Sequence, residues 1–327
     1  MKKELKVAQF GLGPIGLECL KLAASQPWIR VVGGVDNAPT KIGKDLGELA
    51  GTRRLAGLRV VTSVDELDQK PDLIFHTAVS RFKAAYGQLE PIIRQGISVV
   101  SSCEELVFPQ LREPLLAAKL DRLCRKSGAR VVATGVNPGF VMDVLPLCLS
   151  MITQEIVDID IERVVNASTR REPLQRKIGS GLAPKEFRRR FQAGQAGHAG
   201  LSDSLALIAH ALGWKIGRIR EAGDAVVAQK EIRTRYLRVE KGETCGLHQW
   251  AQARADGRRT ITLDLKMYLG AKNPHDTIRI KGNPPLTLVI LGGAAGDQAT
   301  VAALVNTAAR LWRAEPGLRL ATELPIT

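Results

Sequence analysis

Three glycines near the start of the chain have the spacing of a turn that can hold a diphosphate. They stand at Gly11, Gly13 and Gly16, between an apolar run and a stretch with helical apolar spacing. In a strand–turn–helix unit, the first glycine allows the turn, the second lets a diphosphate approach the backbone, and the third lets the helix lie close to the strand. Unpaired N–H groups and the dipole at the helix start then favour an anion. The alternative is an ordinary tight turn.

A carboxylate at the end of the second predicted strand supports the diphosphate interpretation. Asp36 follows the run IRVVGGV and lies about 20 positions after Gly16, where such folds carry the acid that binds an adenosine ribose. An aspartate there accepts hydrogen bonds from both ribose hydroxyls and repels a 2′-phosphate, although Lys41 and Lys44 soften that repulsion. Otherwise, Asp36 only ends a strand and caps a turn. We predict NAD or NADP as the cofactor, with NAD favoured by Asp36, and a binding turn made of Gly11, Gly13, Pro14, Ile15 and Gly16.

Two adjacent carboxylates are the second candidate for chemistry. Glu104 and Glu105 follow the apolar run ISVVSSC, at the start of a predicted helix. Ser102 and Glu105 have the spacing of a capping box, which predicts a structural role for Glu105 and leaves Glu104 able to point into a cleft. A carboxylate beside a nicotinamide can orient an ammonium group or move a proton while hydride is transferred. The residues alone leave open whether either acid is more than a helix cap.

The elements that must position these residues alternate between strand and helix up to about residue 136. This rhythm predicts a doubly wound parallel sheet, in which ligands lie off the carboxyl ends of the strands. The residues that end the fourth, fifth and sixth predicted strands should therefore face the nicotinamide half of the cofactor. They are His76, Thr77, Ala78, Ser80, Ser101, Ser102, Cys103, Glu104, Glu105, Asn137, Pro138 and Gly139. Among them, the predicted cofactor-binding residues are Thr77, Ala78, Ser80, Ser102, Cys103, Asn137 and Pro138.

The pattern changes after about residue 140 and becomes typical of an α+β domain. Alternating runs predict antiparallel strands joined at the hairpin turn ADGR, and SLALIAHALGW predicts a helix. A long amphipathic helix over 296–317 is expected to pack back on the first domain. The predicted fold class is therefore α/β, an N-terminal Rossmann sheet followed by an α+β domain. The predicted parts are a dinucleotide-binding domain at 1–140, a substrate-binding and dimerisation domain at 141–295, and a returning helix and tail at 296–327.

Composition excludes several other classes of protein. The 327 residues are 45% hydrophobic, which is typical of a globular protein, and no apolar run has the length of a membrane span. The net charge is +14, and basic residues crowd 163–191. A nucleic-acid partner is the alternative to a solvated basic face, but aromatic residues make up only 4% and no nucleic-acid motif is present. The five cysteines lack metal-like spacing, and the charged start lacks a signal-peptide core. We expect no metal, no membrane and a cytoplasmic location.

Seven segments together resemble the 2,4-diaminopentanoate dehydrogenase family and its relatives, the native amine dehydrogenases. They are GLGPIGLECL, VDNAPTKIGKDLGELAG, SSCEELVFP, GVNPGFVMDVLP, STRREPLQRKIGSG, KGNPP and GDQATVAALVNTAARLWRAEPGL. The resemblance implies a Rossmann domain, an α+β substrate and dimer domain, and NAD(P)-dependent oxidative deamination. It also implies that Glu104 is the catalytic residue, that Asn137 and Pro138 lie beside the cofactor, and that Asn166 lines the substrate pocket. The predicted pocket comprises Asn137, Phe140, Asn166 and His198, although a lone histidine in a polar loop is also typical of a surface residue.

Three functions remain in contention on the sequence. The first is an amine dehydrogenase that joins ammonia to a ketone or aldehyde, and it is expected to form a homodimer through an apolar face of the second domain's sheet. The second is an imine or enal reductase, which would act without ammonia; the paired histidines, lysine and Ser-Gly-Thr turn of true dihydrodipicolinate reductases are missing here. The third is a dinucleotide-binding protein without turnover.

Overall fold

The computed structural model describes residues 4–325, and the chain divides into two compact units. One unit is Met1–Phe140 together with Ala295–Thr327, and the other is Val141–Ala294. The outermost residues of the predicted parts, 1–3 and 326–327, lie outside the described residues. Within residues 4–325, no helix has both the length and the apolar character needed to span a membrane.

The chain up to residue 140 alternates between strands and helices. The strands are β1 (Leu5–Phe10), β2 (Ile29–Val35), β3 (Val60–Val61), β4 (Leu73–His76), β5 (Ser98–Ser101) and β6 (Arg130–Ala133). The helices are α1 (Pro14–Ser25), α2 (Leu46–Ala50), α3 (Phe82–Arg94) and α4 (Pro114–Ser127). Short 3-10 helices lie at Arg53–Leu55, Val64–Glu66, Glu104–Val107 and Pro109–Leu111.

The second unit and the C-terminal part supply the remaining elements. The second unit's helices are α5 (Val144–Ser150), α6 (Glu172–Lys177), α7 (Pro184–Gln192) and α8 (Leu201–Ala211). Its strands are β7 (Glu155–Asn166), β8 (Arg220–Val227), β9 (Ile232–Arg233), β10 (Arg238–Val239), β11 (Thr244–Ala255), β12 (Arg259–Tyr268), β13 (His275–Asn283) and β14 (Leu286–Leu291). The chain then re-enters the first unit with α9 (Gly296–Trp312), β15 (Gly317–Arg319) and a 3-10 helix at Ala321–Glu323.

The first unit contains the predicted doubly wound parallel sheet. Its strand order is β15-β6-β5-β4-β1-β2-β3, and every pair is parallel. All four residues of both β4 and β5 are buried, as expected for strands covered by helices on both faces. Helix α9 packs against α1 and the central strands, so the predicted return of the C-terminal helix is confirmed. The helix ends at Trp312, before the predicted stop, because Pro316 and Gly317 lead the chain into β15.

The second unit contains a mixed sheet, which corrects the antiparallel sheet expected from the sequence. Its order is β14-β13-β7-β12-β11-β8, and β7 pairs with β12 in parallel while the other pairs are antiparallel. Alternation of apolar and polar residues reports burial but not strand direction. The expected strand YLRVEKGE shrinks to the two-residue strand β10, while β8 and β13 were missed because their sequences are rich in charges and glycine.

The apolar face of this mixed sheet lies inside its own unit. Ile159, Ile161 and Leu263 are at most 1% exposed, and helix α8 packs against β11 and β12. The opposite face carries polar pairs, including Glu162 with Lys266 at 2.7 Å. This apolar face is therefore already buried within the unit, and the homodimer expected through the sheet stays a prediction.

A buried ion pair holds the end of the second unit. Arg163 Nη1 lies 2.9 Å from Asp276 Oδ2, and the two side chains are 2% and 0% exposed. The Arg163 Nη2 group donates to the Ala294 carbonyl at 2.8 Å, and the Ala294 N–H donates to Asp276 at 2.7 Å. Burial raises the pKa of Asp276, although the neighbouring Arg163 guanidinium acts in the opposite direction. The pair thus fixes the backbone where the chain leaves this unit.

Removing one partner of the buried pair should destabilise the protein strongly. Asp276→Ala leaves the Arg163 guanidinium buried without its counter-charge, which costs about 3–5 kcal/mol of unfolding free energy. The matched control is Asp158→Ala, whose carboxylate pairs with the exposed Lys281 at 3.2 Å and contributes roughly 0–1 kcal/mol. Urea unfolding of both variants measures the difference, and equal losses would contradict the role assigned to the buried pair.

Candidate active site

The glycine turn between β1 and α1 has the shape that a diphosphate requires. Gly11 has a φ of +89°, and a Cβ there would lie 3.0 Å from the Thr77 carbonyl group. A Cβ on Gly16 would lie 2.0 Å from the Gly11 carbonyl oxygen, so neither position accepts a side chain. A Cβ on Gly13 would meet nothing within 4 Å. The first and third glycines are therefore fixed by packing, while the second opens onto free space.

Two polar side chains beneath the turn hold it against β4. The Gln9 Nε2 group donates to Thr77 Oγ1 at 2.8 Å and to the Gly11 carbonyl at 3.1 Å. The Thr77 hydroxyl donates to the same Gly11 carbonyl at 2.9 Å. Thr77 was predicted to contact the cofactor, and the structure places its hydroxyl on the glycine turn. Gln9, which is fully buried, was not anticipated because it lies within the apolar strand β1.

Asp36 lies beside the turn, at the end of β2. Its Oδ2 atom accepts the Leu12 N–H at 2.7 Å and pairs with Lys41 Nζ at 2.9 Å, while Oδ1 accepts the Ala38 N–H at 2.8 Å. Burial by itself would raise the pKa of Asp36, but the hydrogen bonds from Lys41, Ala38 and Leu12 outweigh it and lower the pKa. The carboxylate is therefore ionised, and its charge is partly neutralised by Lys41.

The residues around the turn fit a nicotinamide dinucleotide. Pro14 occupies the first position of α1, and the N–H groups of Ile15 and Gly16 belong to the first turn, where a helix has no internal partners for them. Gly13 leaves open space at this helix start. Beyond β6, both polar atoms of the Asn137 amide are buried and have no hydrogen-bond partner among the described residues. An amide left in this state is suited to pair with the carboxamide of a nicotinamide.

The two neighbouring glutamates have different environments. Glu105 is 6% exposed, and its carboxylate accepts from Arg81 Nη1 at 2.6 Å and from the Phe82 N–H at 2.9 Å. The Glu105 N–H also donates to the Ser80 carbonyl at 3.2 Å. Glu104, in contrast, is only half-buried. The Glu105 carboxylate is therefore committed to structure, and Glu104 is the more accessible of the two acids.

The structural role of Glu105 differs from the predicted capping box. The short helix Glu104–Val107 has no side-chain cap, and Ser102 does not bond to Glu105 in the predicted manner. Glu105 instead caps the first turn of α3, because its carboxylate accepts the Phe82 N–H there. The sequence identified the structural acid but not the helix it serves, since that helix is remote in sequence.

Two other strand-end residues turn into the interior. His76 is fully buried, with Nδ1 2.9 Å from Ser101 Oγ and Nε2 2.8 Å from Gln88 Oε1, so the expectation that it faces the nicotinamide is wrong. Cys103 is fully buried, and burial raises the pKa of its thiol to about 12. Ser80 and Ser102 are half-buried, and Ala78 is exposed.

The predicted pocket residues divide between the two units. In the first unit, Pro138 is buried after the unpartnered Asn137 amide, and Phe140 is 45% exposed. In the second unit, Asn166 Oδ1 accepts the Ser168 N–H at 3.0 Å.

In the second unit, the side chain of Gln249 bonds to both main-chain polar groups of His198. Gln249 accepts the His198 N–H at 2.8 Å and donates to the His198 carbonyl at 2.9 Å. Gln249 is 1% exposed and also donates to Glu221 at 2.7 Å, a constraint that the sequence did not reveal. Among residues 4–325, no group of three or more His, Cys, Asp or Glu side chains is placed to hold a metal ion.

Comparison with known proteins gives one consistent picture. The family model of the 2,4-diaminopentanoate dehydrogenase C-terminal domain matches residues 140–327. A 2,4-diaminopentanoate dehydrogenase from Acetoanaerobium sticklandii is 27% identical, covering 99% of this chain and 94% of the relative. An amine dehydrogenase from Streptomyces virginiae is 24% identical over 97% of this chain and 95% of the relative. The solved structure of an amine dehydrogenase from Mycobacterium smegmatis has the same fold, with a TM-score of 0.89, 21% identity, and coverage of 99% and 96% of the two chains.

Alanine substitutions at two of the glycines should separate cofactor binding from folding. Gly13 has φ −69°, which alanine adopts freely, so Gly13→Ala should fold normally while its methyl group occupies the space for the diphosphate. An extra methyl in a close contact costs about 1–3 kcal/mol, or roughly 5- to 150-fold in NADH affinity. Gly16→Ala should instead lower thermal stability, because its Cβ meets a carbonyl oxygen. Wild-type NADH affinity in a folded Gly13→Ala variant would contradict this assignment.

Proposed function

The chain belongs to the 2,4-diaminopentanoate dehydrogenase family, and on that premise we propose that it is an NAD(P)-dependent amine dehydrogenase. It would oxidatively deaminate a small amine or diamino acid, and in reverse aminate a ketone or aldehyde with ammonia. The observation that carries the proposal is the division between two adjacent acids: Glu105 is locked to Arg81 and Phe82, while Glu104 is half-buried and more accessible. This arrangement offers one carboxylate for chemistry on a rigid support.

The reaction balances as carbonyl, ammonium, NADH and a proton giving protonated amine, NAD and water. The dinucleotide supplies the hydride when it is bound. Glu104 holds the ammonium group, accepts the proton released when ammonia adds to the carbonyl carbon, and returns a proton to the oxygen that leaves as water. A positioned carboxylate of this kind typically contributes a factor of about 10²–10⁴ in rate.

In this proposal, different residues of the first unit bind different parts of the cofactor. The diphosphate would bind at the start of α1, against Gly13, Ile15 and Gly16, and Asp36 would accept from the adenosine ribose. Asn137 would pair with the nicotinamide carboxamide, which its buried and unpartnered amide supports. Thr77 acts by holding the glycine turn, through its bond to the Gly11 carbonyl. The remaining predicted cofactor contacts are Pro14, Ala78, Ser80, Ser102 and Pro138, whereas the predicted contact at Cys103 is not kept because its side chain is fully buried.

We assign amine recognition and self-association to the second unit. Asn166 and His198 are the candidate substrate residues of the second unit, and Asn137 and Phe140 are those of the first unit. The open face of the mixed sheet carries the charged side chains of Glu162, Lys266 and Asp264 together with the exposed Val289 and Leu291, so a second copy would bind it through both charge pairs and apolar contact. A cytoplasmic location accords with the reduced cysteines of this proposal.

One kinetic assay should distinguish the roles of Glu104 and Glu105. Purified protein with NADH or NADPH, ammonium and a panel of small ketones and aldehydes should oxidise the cofactor only when ammonium is present. Glu104→Gln should then lose about 10²–10⁴ in turnover while still binding NADH. Glu105→Gln keeps its acceptor for the Phe82 N–H, so it should retain most turnover but lose about 1–3 kcal/mol of stability.

Other outcomes of the same assay would redirect the assignment. Normal turnover in Glu104→Gln with loss in Glu105→Gln would make Glu105 the catalytic acid. Turnover that needs no ammonium would indicate an imine or enal reductase. Tight NADH binding without turnover on any carbonyl would indicate a dinucleotide-binding protein.

Cofactor choice should depend on opposite charges at Asp36 and Lys41. Asp36→Ala removes acceptors for the ribose hydroxyls and a charge that repels a 2′-phosphate, and each charged hydrogen bond contributes about 1.5–3 kcal/mol. The ratio of NAD to NADP affinity should therefore fall by about tenfold or more. Lys41→Ala should raise the ratio, because it leaves the Asp36 charge uncompensated. Lys44→Ala, at an exposed side chain nearby, is the control and should leave the ratio unchanged. An unchanged ratio in Asp36→Ala would remove Asp36 from the ribose site.

The protein should form a homodimer in solution. Two-fold dimers are the commonest oligomers, and light scattering at micromolar concentration should return the mass of two chains. Because charge pairs on the open sheet face are screened by salt, the dimer should weaken as ionic strength rises. A monomeric mass at low salt would contradict self-association.

A further inference from the structure

The fully buried His76 lies at the end of β4 and uses both ring nitrogens. Its Nδ1 atom is 2.9 Å from Ser101 Oγ at the end of β5, and its Nε2 atom is 2.8 Å from Gln88 Oε1 on α3. The ring also packs against Phe10, with 5.4 Å between ring centroids. No step of the proposed reaction uses this histidine, yet it connects a strand end, a helix and the neighbouring strand.

The hydrogen bonds around His76 have only one consistent direction. The Gln88 Oε1 atom can only accept, so the Nε2 atom of His76 carries a hydrogen and donates it to that oxygen. The Nδ1 atom of the neutral ring then accepts the hydrogen of the Ser101 hydroxyl, and the Ser101 oxygen accepts the Cys103 N–H at 3.1 Å. Burial lowers the pKa of His76, although the bond to Gln88 acts in the opposite direction, so the ring is neutral at pH 7.

This series of bonds ends at the turn that carries Glu104. The Ser102 N–H donates to the His76 carbonyl at 2.9 Å, and the Cys103 N–H is held by Ser101. On the far side of Glu104, the Glu105 N–H and carboxylate bond to the segment after β4. The backbone is thus fixed directly before and directly after Glu104, and the His76 ring buttresses the first of these two anchors.

We propose that His76 is a positioning residue for Glu104, acting as the neutral Nε2–H form that orients the Ser101 hydroxyl and thereby holds the Cys103 N–H. The inference rests on the proposed role of Glu104. A displacement of about 1 Å at a reacting group can cost roughly 10²-fold in rate. Loss of the His76 acceptor should therefore lower kcat while leaving NADH affinity intact.

Two substitutions at His76 test the hydrogen bonds of its two ring nitrogens separately. In His76→Asn, the side-chain oxygen occupies the place of Nδ1 and can still accept from Ser101. In His76→Gln, the polar atoms occupy the place of Nε2 and reach towards Gln88 instead. We expect His76→Asn to keep a kcat at least several-fold above that of His76→Gln, with the same NADH dissociation constant in both. Equal values of kcat would overturn the proposal.

Serine substitutions on β5 provide a matched test that does not require changes at His76. Ser101→Ala removes the link to Cys103, and Ser98→Ala removes a similar buried acceptor, which binds the Arg130 N–H at the other end of the strand. Both should lower stability to a similar extent, but only Ser101→Ala should lower kcat, by about tenfold or more. Combining Ser101→Ala with His76→Gln should cause no further loss, because both act through one contact. A kcat loss in Ser98→Ala equal to that in Ser101→Ala would overturn the proposal.

Ring nitrogen signals report the form of His76 directly. The chain has five histidines, so selective ¹⁵N-histidine labelling gives few signals to assign. One ring should remain neutral with its hydrogen on Nε2 through pH 6–8, and its signals should disappear in His76→Asn. A charged ring or a hydrogen on Nδ1 would overturn the proposal. Glu104→Gln in the same kinetic assay distinguishes failure of the proposed function from failure of the His76 proposal. Normal turnover in Glu104→Gln would remove the catalytic role of Glu104. Lost turnover in Glu104→Gln together with normal turnover in Ser101→Ala would remove only the positioning role of His76.

Discussion

The candidate site depends on the buried contact between the Glu105 carboxylate and the first turn of α3. The Glu105 oxygens accept from Arg81 and from the Phe82 N–H, both in the segment after β4. A carboxylate at a helix start satisfies an N–H group that the helix itself cannot pair, and it lies at the positive end of the helix dipole. This contact ties the end of β5 to the end of β4. Glu104, one residue earlier, is thereby presented by a backbone that has little freedom to move.

The glycine turn of the candidate site is held by close packing of backbone atoms rather than by charged groups. Gly11 and Gly16 lie so near to neighbouring backbone atoms that neither accepts a Cβ, and Gln9 and Thr77 fix the turn from below. These contacts leave the helix start uncovered at Gly13 and available to an anion. The Asp36 carboxylate is ionised but is paired with Lys41, so the proposed ribose site would present an ion pair and not a single acid.

Local sequence patterns predicted the parts of the fold that depend on neighbouring residues. The spacing of Gly11, Gly13 and Gly16 and the apolar runs β4 and β5 were enough to predict the parallel sheet, and the order of its strands is as expected for a Rossmann domain. Features that join remote segments were not predictable in this way. The parallel pairing of β7 with β12 requires the chain direction, which alternation does not contain. The Arg163–Asp276 pair joins residues 113 positions apart, and nothing local to either residue indicates it.

The same distinction applies within the site. Ser102 and Glu105 matched a local capping pattern, but the carboxylate found a better partner at Phe82, 23 positions away. His76 ends a strand as the residues facing a ligand do, yet a hydrogen-bond acceptor on α3 and a hydroxyl on β5 draw its ring inwards. Single strand-end positions thus identify candidates, and only their three-dimensional partners show which side chains, such as His76 and Glu105, are held in the interior.

The central claim is that Glu104 is the acid–base group of an ammonia-dependent dehydrogenase. The most direct measurement is the pH dependence of turnover at saturating NADH and ammonium, for the wild type and for Glu104→Gln. A carboxylate that must accept a proton gives the wild type a fall in activity at acidic pH. The account predicts that this acidic limb disappears from the residual activity of Glu104→Gln. Retention of the same acidic limb in that variant would contradict it.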